Sequence, residues 1–209
     1  GTSAGKLLTT SVHNIFIGSN AGRYITGNSG TEGAYNVAIG HSAMGGGEDD
    51  PTAGTDNVAE KNVCIGYKSG GGGIADDDTG GTDELNWRHN ICIGYNSGNQ
   101  LSTATVDWSE SSDNTFVGYY SGYAVTTGKN NVMMGTYTGD GTDDGNNNTA
   151  VGYQALSANC GDSNTTIGNQ AGQLATGNYN TFVGALAGNT TVAADSNICI
   201  GYNTECEDS

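Results

Sequence analysis

Apolar and polar positions alternate along this chain in one nine-residue pattern that occurs ten times, most plainly as NTAVGYQAL from Asn148. The other copies begin at Asn14, Asn36, Asn62, Asn90, Asn114, Asn131, Asn164, Asn180 and Asn197, at successive spacings of 22, 26, 28, 24, 17, 17, 16, 16 and 17 residues. One structural unit therefore recurs with a short basal period and is lengthened only in the first half, which is the signature of a solenoid. The residue after each Asn is β-branched (Ile15, Val37, Val63, Ile91, Thr115, Val132, Thr149, Thr165, Thr181, Ile198), and the third after it is Ile, Val or Met (Ile17 through Ile200). Alternation of period two predicts a short strand in each unit, with these two positions on the core side. The position between them then faces outward, and it holds Phe16, Ala38, Cys64, Cys92, Phe116, Met133, Ala150, Thr166, Phe182 and Cys199, none of them charged. A strand apolar on both faces is normally covered on both. This column, above all Phe16, Phe116, Met133 and Phe182, is thus the expected assembly surface for another chain.

The fourth residue after Asn is Gly in every copy, which points to a corner with positive φ or to close approach of the next coil. The seventh is always small, from Ala21 to Thr204, so a second segment lies close against the strand. With 16 or 17 residues in a minimal turn, a flattened roll fits better than a triangular helix. The ten motif Asn residues, stacked in register, are expected to form an amide ladder that locks the coils together.

The order Asn, β-branched residue, small residue, Ile or Val, Gly resembles the head repeat of YadA-type trimeric autotransporter adhesins, which recurs in phage fibre proteins. The resemblance spans residues 14 to 205. It implies an all-β parallel solenoid, a left-handed β-roll of about ten coils that is trimeric in the adhesins, with the outward column near the threefold axis.

All 209 residues then form a single elongated domain, about 48 Å long at ~4.8 Å per coil. Its insertions, 23–35, 45–61, 71–89 and 99–113, project from one edge. They carry Trp87 and Trp108, with Tyr35, Arg88 and His89. Two readings stay open for the tryptophans: a recognition patch for a glycan or cell-surface receptor, or anchors that pack each loop onto the roll. The net charge of −16, with only 6 Lys and Arg, excludes nucleic acid and anionic membrane surfaces as partners, and no stretch is long and apolar enough to insert in a membrane. Acidic runs at 48–50, at Asp76, Asp77 and Asp78, and at Asp140, Asp143 and Asp144 offer the oxygen ligands that Ca²⁺ takes, or are simply solvated turns.

Of five cysteines, Cys64, Cys92 and Cys199 share the middle strand column and are read as small apolar packing, Cys160 lies in a turn, and Cys206 is the expected exposed thiol or intermolecular link. No acid–base constellation emerges. His13 and His89 precede motif Asn residues and His41 follows a motif Gly, which are structural positions. Sequons occur at Asn147, Asn164 and Asn189, of which Asn164 belongs to the ladder.

Gly1–Gly5 matches the second half of the motif, so the chain opens in mid-coil and upstream sequence or a neighbour is expected to complete that layer. Head-to-tail association through terminal coils follows, with Ile198 and Ile200 expected inside the last one. The expectation is an extracellular, cell-surface or virion fibre segment that self-associates as a homo-oligomer or filament, without chemistry of its own. The alternatives are a carbohydrate-active solenoid enzyme, which needs a cleft with paired carboxylates, and an ice-binding solenoid. The last is disfavoured here because Thr115, Thr149, Thr165 and Thr181 fall on the expected inward face.

Overall fold

The computed structural model describes residues 1–6, 8, 12–23, 25, 33–45, 59–71, 88–101, 111–190, 193 and 195–206. The architecture is all-β. Ten three-residue strands form a single parallel sheet in sequential order: β1 (Ile15–Ile17), β2 (Val37–Ile39), β3 (Val63–Ile65), β4 (Ile91–Ile93), β5 (Thr115–Val117), β6 (Val132–Met134), β7 (Thr149–Val151), β8 (Thr165–Ile167), β9 (Thr181–Val183) and β10 (Ile198–Ile200). Register never slips: each motif position pairs with its equivalent in the next coil, as Thr149 with Thr165 and Val151 with Ile167. This is the parallel β-solenoid expected from the repeat, and among the described residues each strand contacts only the strands next to it in sequence.

Opposite the sheet runs a layer of stacked turns, tied coil to coil by backbone bonds such as Ser42 N–H to Ser19 O at 2.9 Å and Gly122 N–H to Thr138 O at 2.9 Å. The two layers nearly touch. The small seventh residues from Ala21 to Ala187 are buried, and Ser97 and Ser121 donate their hydroxyls across the interior to the Phe116 and Met133 carbonyls at 3.0 and 2.7 Å. Residues 1–5 stack in the same way: Asn20 N–H donates to Thr2 O, and Gly5 N–H donates to Ala21 O, each at 2.9 Å. They therefore occupy the half-coil position that their sequence matches.

The motif glycines satisfy both needs inferred for them. Gly152 has φ 138° and lies so near the next coil that a Cβ would run into the Gly168 carbonyl. The Asn ladder is also present. The Oδ1 of Asn148 accepts the Asn164 backbone N–H at 2.8 Å and its side-chain N–H at 3.1 Å, while Asn148 Nδ2 donates to Gly161 O at 2.9 Å. Each buried amide thus satisfies backbone groups of the next coil that would otherwise be orphaned.

The orientation of the strands is the reverse of the expectation. The middle column faces inward: Ala38, Cys64, Cys92, Phe116, Met133, Ala150, Thr166 and Phe182 are fully buried. Phe16 is half-buried and packs against this core. Phe116, Met133 and Phe182 are therefore interior packing and no assembly surface. The flanking columns face outward, and Ile198 and Ile200, expected inside the terminal coil, are 73% and 67% exposed. The reason is the thinness of the roll, which has room for one column of side chains per strand. The β-branched residues serve the extended backbone, which their stiff χ1 favours, rather than burial.

In the copies with Phe or Ala at the second position after Asn, the second and eighth residues trade volume. Where the second is Phe, the eighth is Gly, and a Cβ on Gly122 would come within 2.6 Å of the Phe116 ring. Where the second is Ala, the eighth is large and buried: Ala38 stands with Met44, and Ala150 with Leu156. Met44 and Leu156 accept left-handed backbone, φ 49° and 54°, to fill that space.

The inward column also corrects the reading of Cys206. It forms a disulfide with Cys199, with a Cα–Cα distance of 5.9 Å, and so closes the last coil from within instead of presenting a free thiol. Cys64, Cys92 and Cys160 are free and buried. Burial pushes the Cys64 thiol well above the ordinary range, reinforced by Cys92 in the next coil, and raises Cys160 to about 11.

Candidate functional site

The outward columns of the sheet build a regular surface that runs through all ten strands of the described molecule. Its twenty side chains are Ile, Val, Thr and one Met, with no charge among them in a chain of net charge −16. Exposure is high for so apolar a set: Ile15 52%, Ile17 57%, Met134 43% and Ile167 43%. Nine in-register pairings at ~4.8 Å make the face about 43 Å long, with its two columns about 7 Å apart. A parallel sheet left bare on one face is unusual, because such strands are normally covered on both sides. Apolar patches on this scale mark contact surfaces.

Four of the twenty positions are threonines, Thr115, Thr149, Thr165 and Thr181, in one column interrupted only by the isosteric Val132. They point outward with the rest of their column and are partly exposed.

The acidic turn at 140–144 does not converge. Asp140 is half-buried, and desolvation raises its carboxyl above the usual range, opposed in part by a hydrogen bond with Ser157; its Oδ1 is buried without a hydrogen-bond partner among the described residues. Asp143 accepts instead from the Thr126 hydroxyl in the preceding coil, and Asp144 is exposed. Among the described residues no group of three His, Cys, Asp or Glu is placed to hold a metal ion. Asp76, Asp77, Asp78, Trp87 and Trp108, and most of the four insertions, lie outside the described residues.

The histidines occupy turn positions as expected. His13 and His89 take left-handed backbone, φ 61° and 58°, and His89 Nδ1 lies 3.1 Å from Asp113 Oδ1 on the surface. Asn164 is buried in the ladder, which removes its sequon from reach.

Two features escaped sequence reasoning. A second ladder runs two residues before the motif Asn, where Asn146, Asp162, Asn178 and Asp195 alternate amide and carboxylate: Asp162 Oδ1 accepts from Asn146 N–H at 2.8 Å, and Asn178 Oδ1 accepts from Asp162 N–H at 2.8 Å. The second is a run of aromatic rings just past the glycine corner, with His41, Tyr67, Tyr95 and Tyr119 stacked at 5.4, 4.9 and 5.2 Å. Its signal was available: the fifth residue after Asn is Tyr in five copies, and in-register stacking brings equivalent positions together.

The chain matches no family profile, no curated protein and no solved structure.

Proposed function

We propose that this chain is a structural segment of an extracellular fibre, a rigid roll that associates with further copies of itself through the outward face of its sheet. The observation that carries this reading is the uncharged β-branched array on a surface about 43 Å long. Covering it with the same face of another copy removes apolar area from water without burying a charge. The acidic residues, excluded from this face, keep the rest of the surface soluble and disfavour other contacts. A structural part of this kind acts by stiffness and display.

The test is the mass and shape of the native assembly by analytical ultracentrifugation and electron microscopy. Wild type is expected as a defined oligomer or fibre. Val151→Asp with Ile167→Asp, at the middle of the face, is expected to give monomers with unchanged far-UV circular dichroism. A wild-type protein that stays monomeric at high micromolar concentration defeats the reading.

The outward threonines favour a second reading, ice binding, because a flat, rigid, regularly spaced Thr column is what that function requires. The two readings use the same face and exclude each other in one molecule at one time. Thermal hysteresis in a monomeric solution, abolished by Thr149→Lys and Thr165→Lys, would select the second; its absence leaves self-association.

A further inference from the structure

The two residues after each corner glycine form a side wall distinct from the sheet face. In ten coils these twenty positions contain no Asp or Glu, although the chain has 22 acidic residues. They are rich in Tyr, Asn, Gln and Ser, a composition suited to neutral polar recognition, since Tyr offers rigid amphipathic area at low entropic cost.

The rings on this wall change their arrangement along it. From His41 to Tyr119 they stack within 19° of parallel, so ring faces cover one another. At Tyr137 the run turns: Tyr119 and Tyr137 meet at 85°, and Tyr137 and Tyr153 at 81° with centroids 6.5 Å apart. An edge-on contact covers one face of only one of the two rings it joins, and Tyr153 is 46% exposed. In the next coil the aromatic run gives way to Asn169. There the amides of Gln154, Gln170 and Gln173 form a cluster, Gln170 Nε2 donating to Gln154 Oε1 and Gln173 Oε1 at 3.2 Å each, and Gln173 Nε2 donating to Gln154 Oε1 at 3.3 Å.

We propose that the step from Tyr137 to Tyr153, with the amide cluster beside it, binds a neutral saccharide chain. A pyranose ring has an apolar C–H face and a rim of hydroxyls, so its recognition needs a bare aromatic face next to neutral groups that both donate and accept. Tyr153 supplies the first, and the three glutamines supply the second in an arrangement already fixed by their mutual bonds. Charge selects against the other polymers. An anionic polysaccharide is repelled by a chain of net charge −16, and a cationic one finds no carboxylate on this wall. The wall is open, so affinity has to accumulate over several sugar units lying along coils spaced by ~4.8 Å, which favours a chain over a free monosaccharide. The surface is separate from the sheet face, and the proposal stands or falls without self-association.

The test is native gel electrophoresis of the full chain through gels containing dextran, hydroxyethylcellulose, mannan or galactan, with alginate as the anionic control. At least one neutral polymer is expected to retard the wild type and alginate not to. Tyr153→Ala and Gln170→Ala are each expected to weaken retardation by about fivefold, the worth of one net contact. Tyr179→Ala, which removes an exposed tyrosine elsewhere on the roll, is expected to change nothing. Matching melting curves confirm that each variant is folded, and Gln170→Ala, which removes a half-buried amide and no aromatic ring, serves if Tyr153→Ala is not. Failure of every neutral polymer to retard the wild type, retardation that survives both substitutions, or equal retardation by alginate overturns the proposal.

Discussion

The compensation between the second and eighth positions of the repeat makes a sharp prediction about coil five. Phe116 is fully buried, and its ring occupies the space that a side chain at Gly122 would need. Phe116→Ala should therefore cost about 3–5 kcal/mol, the usual loss for an emptied aromatic site. Gly122→Leu alone should also destabilise, by about 1–3 kcal/mol for overpacking and a further ~1–2 kcal/mol for left-handed backbone in a non-glycine residue. The double variant recreates the pair found at Ala150 and Leu156, in which a leucine with φ 54° fills the space above an alanine. Only the backbone cost should remain, about 1–2 kcal/mol. A substitution that is harmful by itself is thus expected to rescue Phe116→Ala, with a coupling of about 3 kcal/mol or more. Urea unfolding followed by circular dichroism, at one protein concentration and with a common m-value, measures this. Effects that add within about 0.5 kcal/mol would show that the two side chains do not share a space. A cost for Phe116→Ala below ~0.5 kcal/mol would return the middle column to the surface.

Three further outcomes test other parts of the fold. Gly152→Ala should prevent the coils around it from stacking, since its Cβ would meet the Gly168 carbonyl and its φ is 138°; limited proteolysis should open the chain there, and an intact, wild-type-like digest would refute close approach. Asn148→Ala leaves the buried N–H of Asn164 without its acceptor and should cost about 1–3 kcal/mol in urea, whereas Thr166→Val should stabilise by about 1 kcal/mol, because the Thr166 hydroxyl is buried with no hydrogen-bond partner among the described residues. The folded Cys160 thiol, held near 11 by burial, sits above its unfolded value near 9, so its contribution is full below about pH 9 and lost as pH rises toward 11. Wild type should lose stability more steeply than Cys160→Ala across that window, and parallel pH profiles would contradict the burial of this thiol.

What was legible in the sequence followed from how strictly the chemistry restricts each position. Only glycine fits a corner at φ near 138° that also touches the next coil, and only an amide both accepts from the next backbone N–H and donates to a carbonyl, so these columns repeat without exception. Strand existence was legible for the same reason, through β-branching. Which way the strands face was not, because β-branching reports backbone conformation and not burial, and the two were treated as one signal. The same inversion accounts for Cys206, whose partner Cys199 points inward, and for the threonines, which point outward. The evidence for the true orientation lay in the variable column. A surface position has no reason to trade volume with a residue six places on, yet Phe16, Phe116 and Phe182 each stand with glycine while Ala38 and Ala150 stand with Met44 and Leu156. A large residue at one position answered by a small one at the other is what a closed interior demands, since a clash is costly there. In a roll this thin the interior takes only one column per strand, and the other two β-branched columns are left outside. Their lack of any charge is then not explained by burial within the chain, and this is the physical reason why the self-association proposed above is assigned to that face and not to any other.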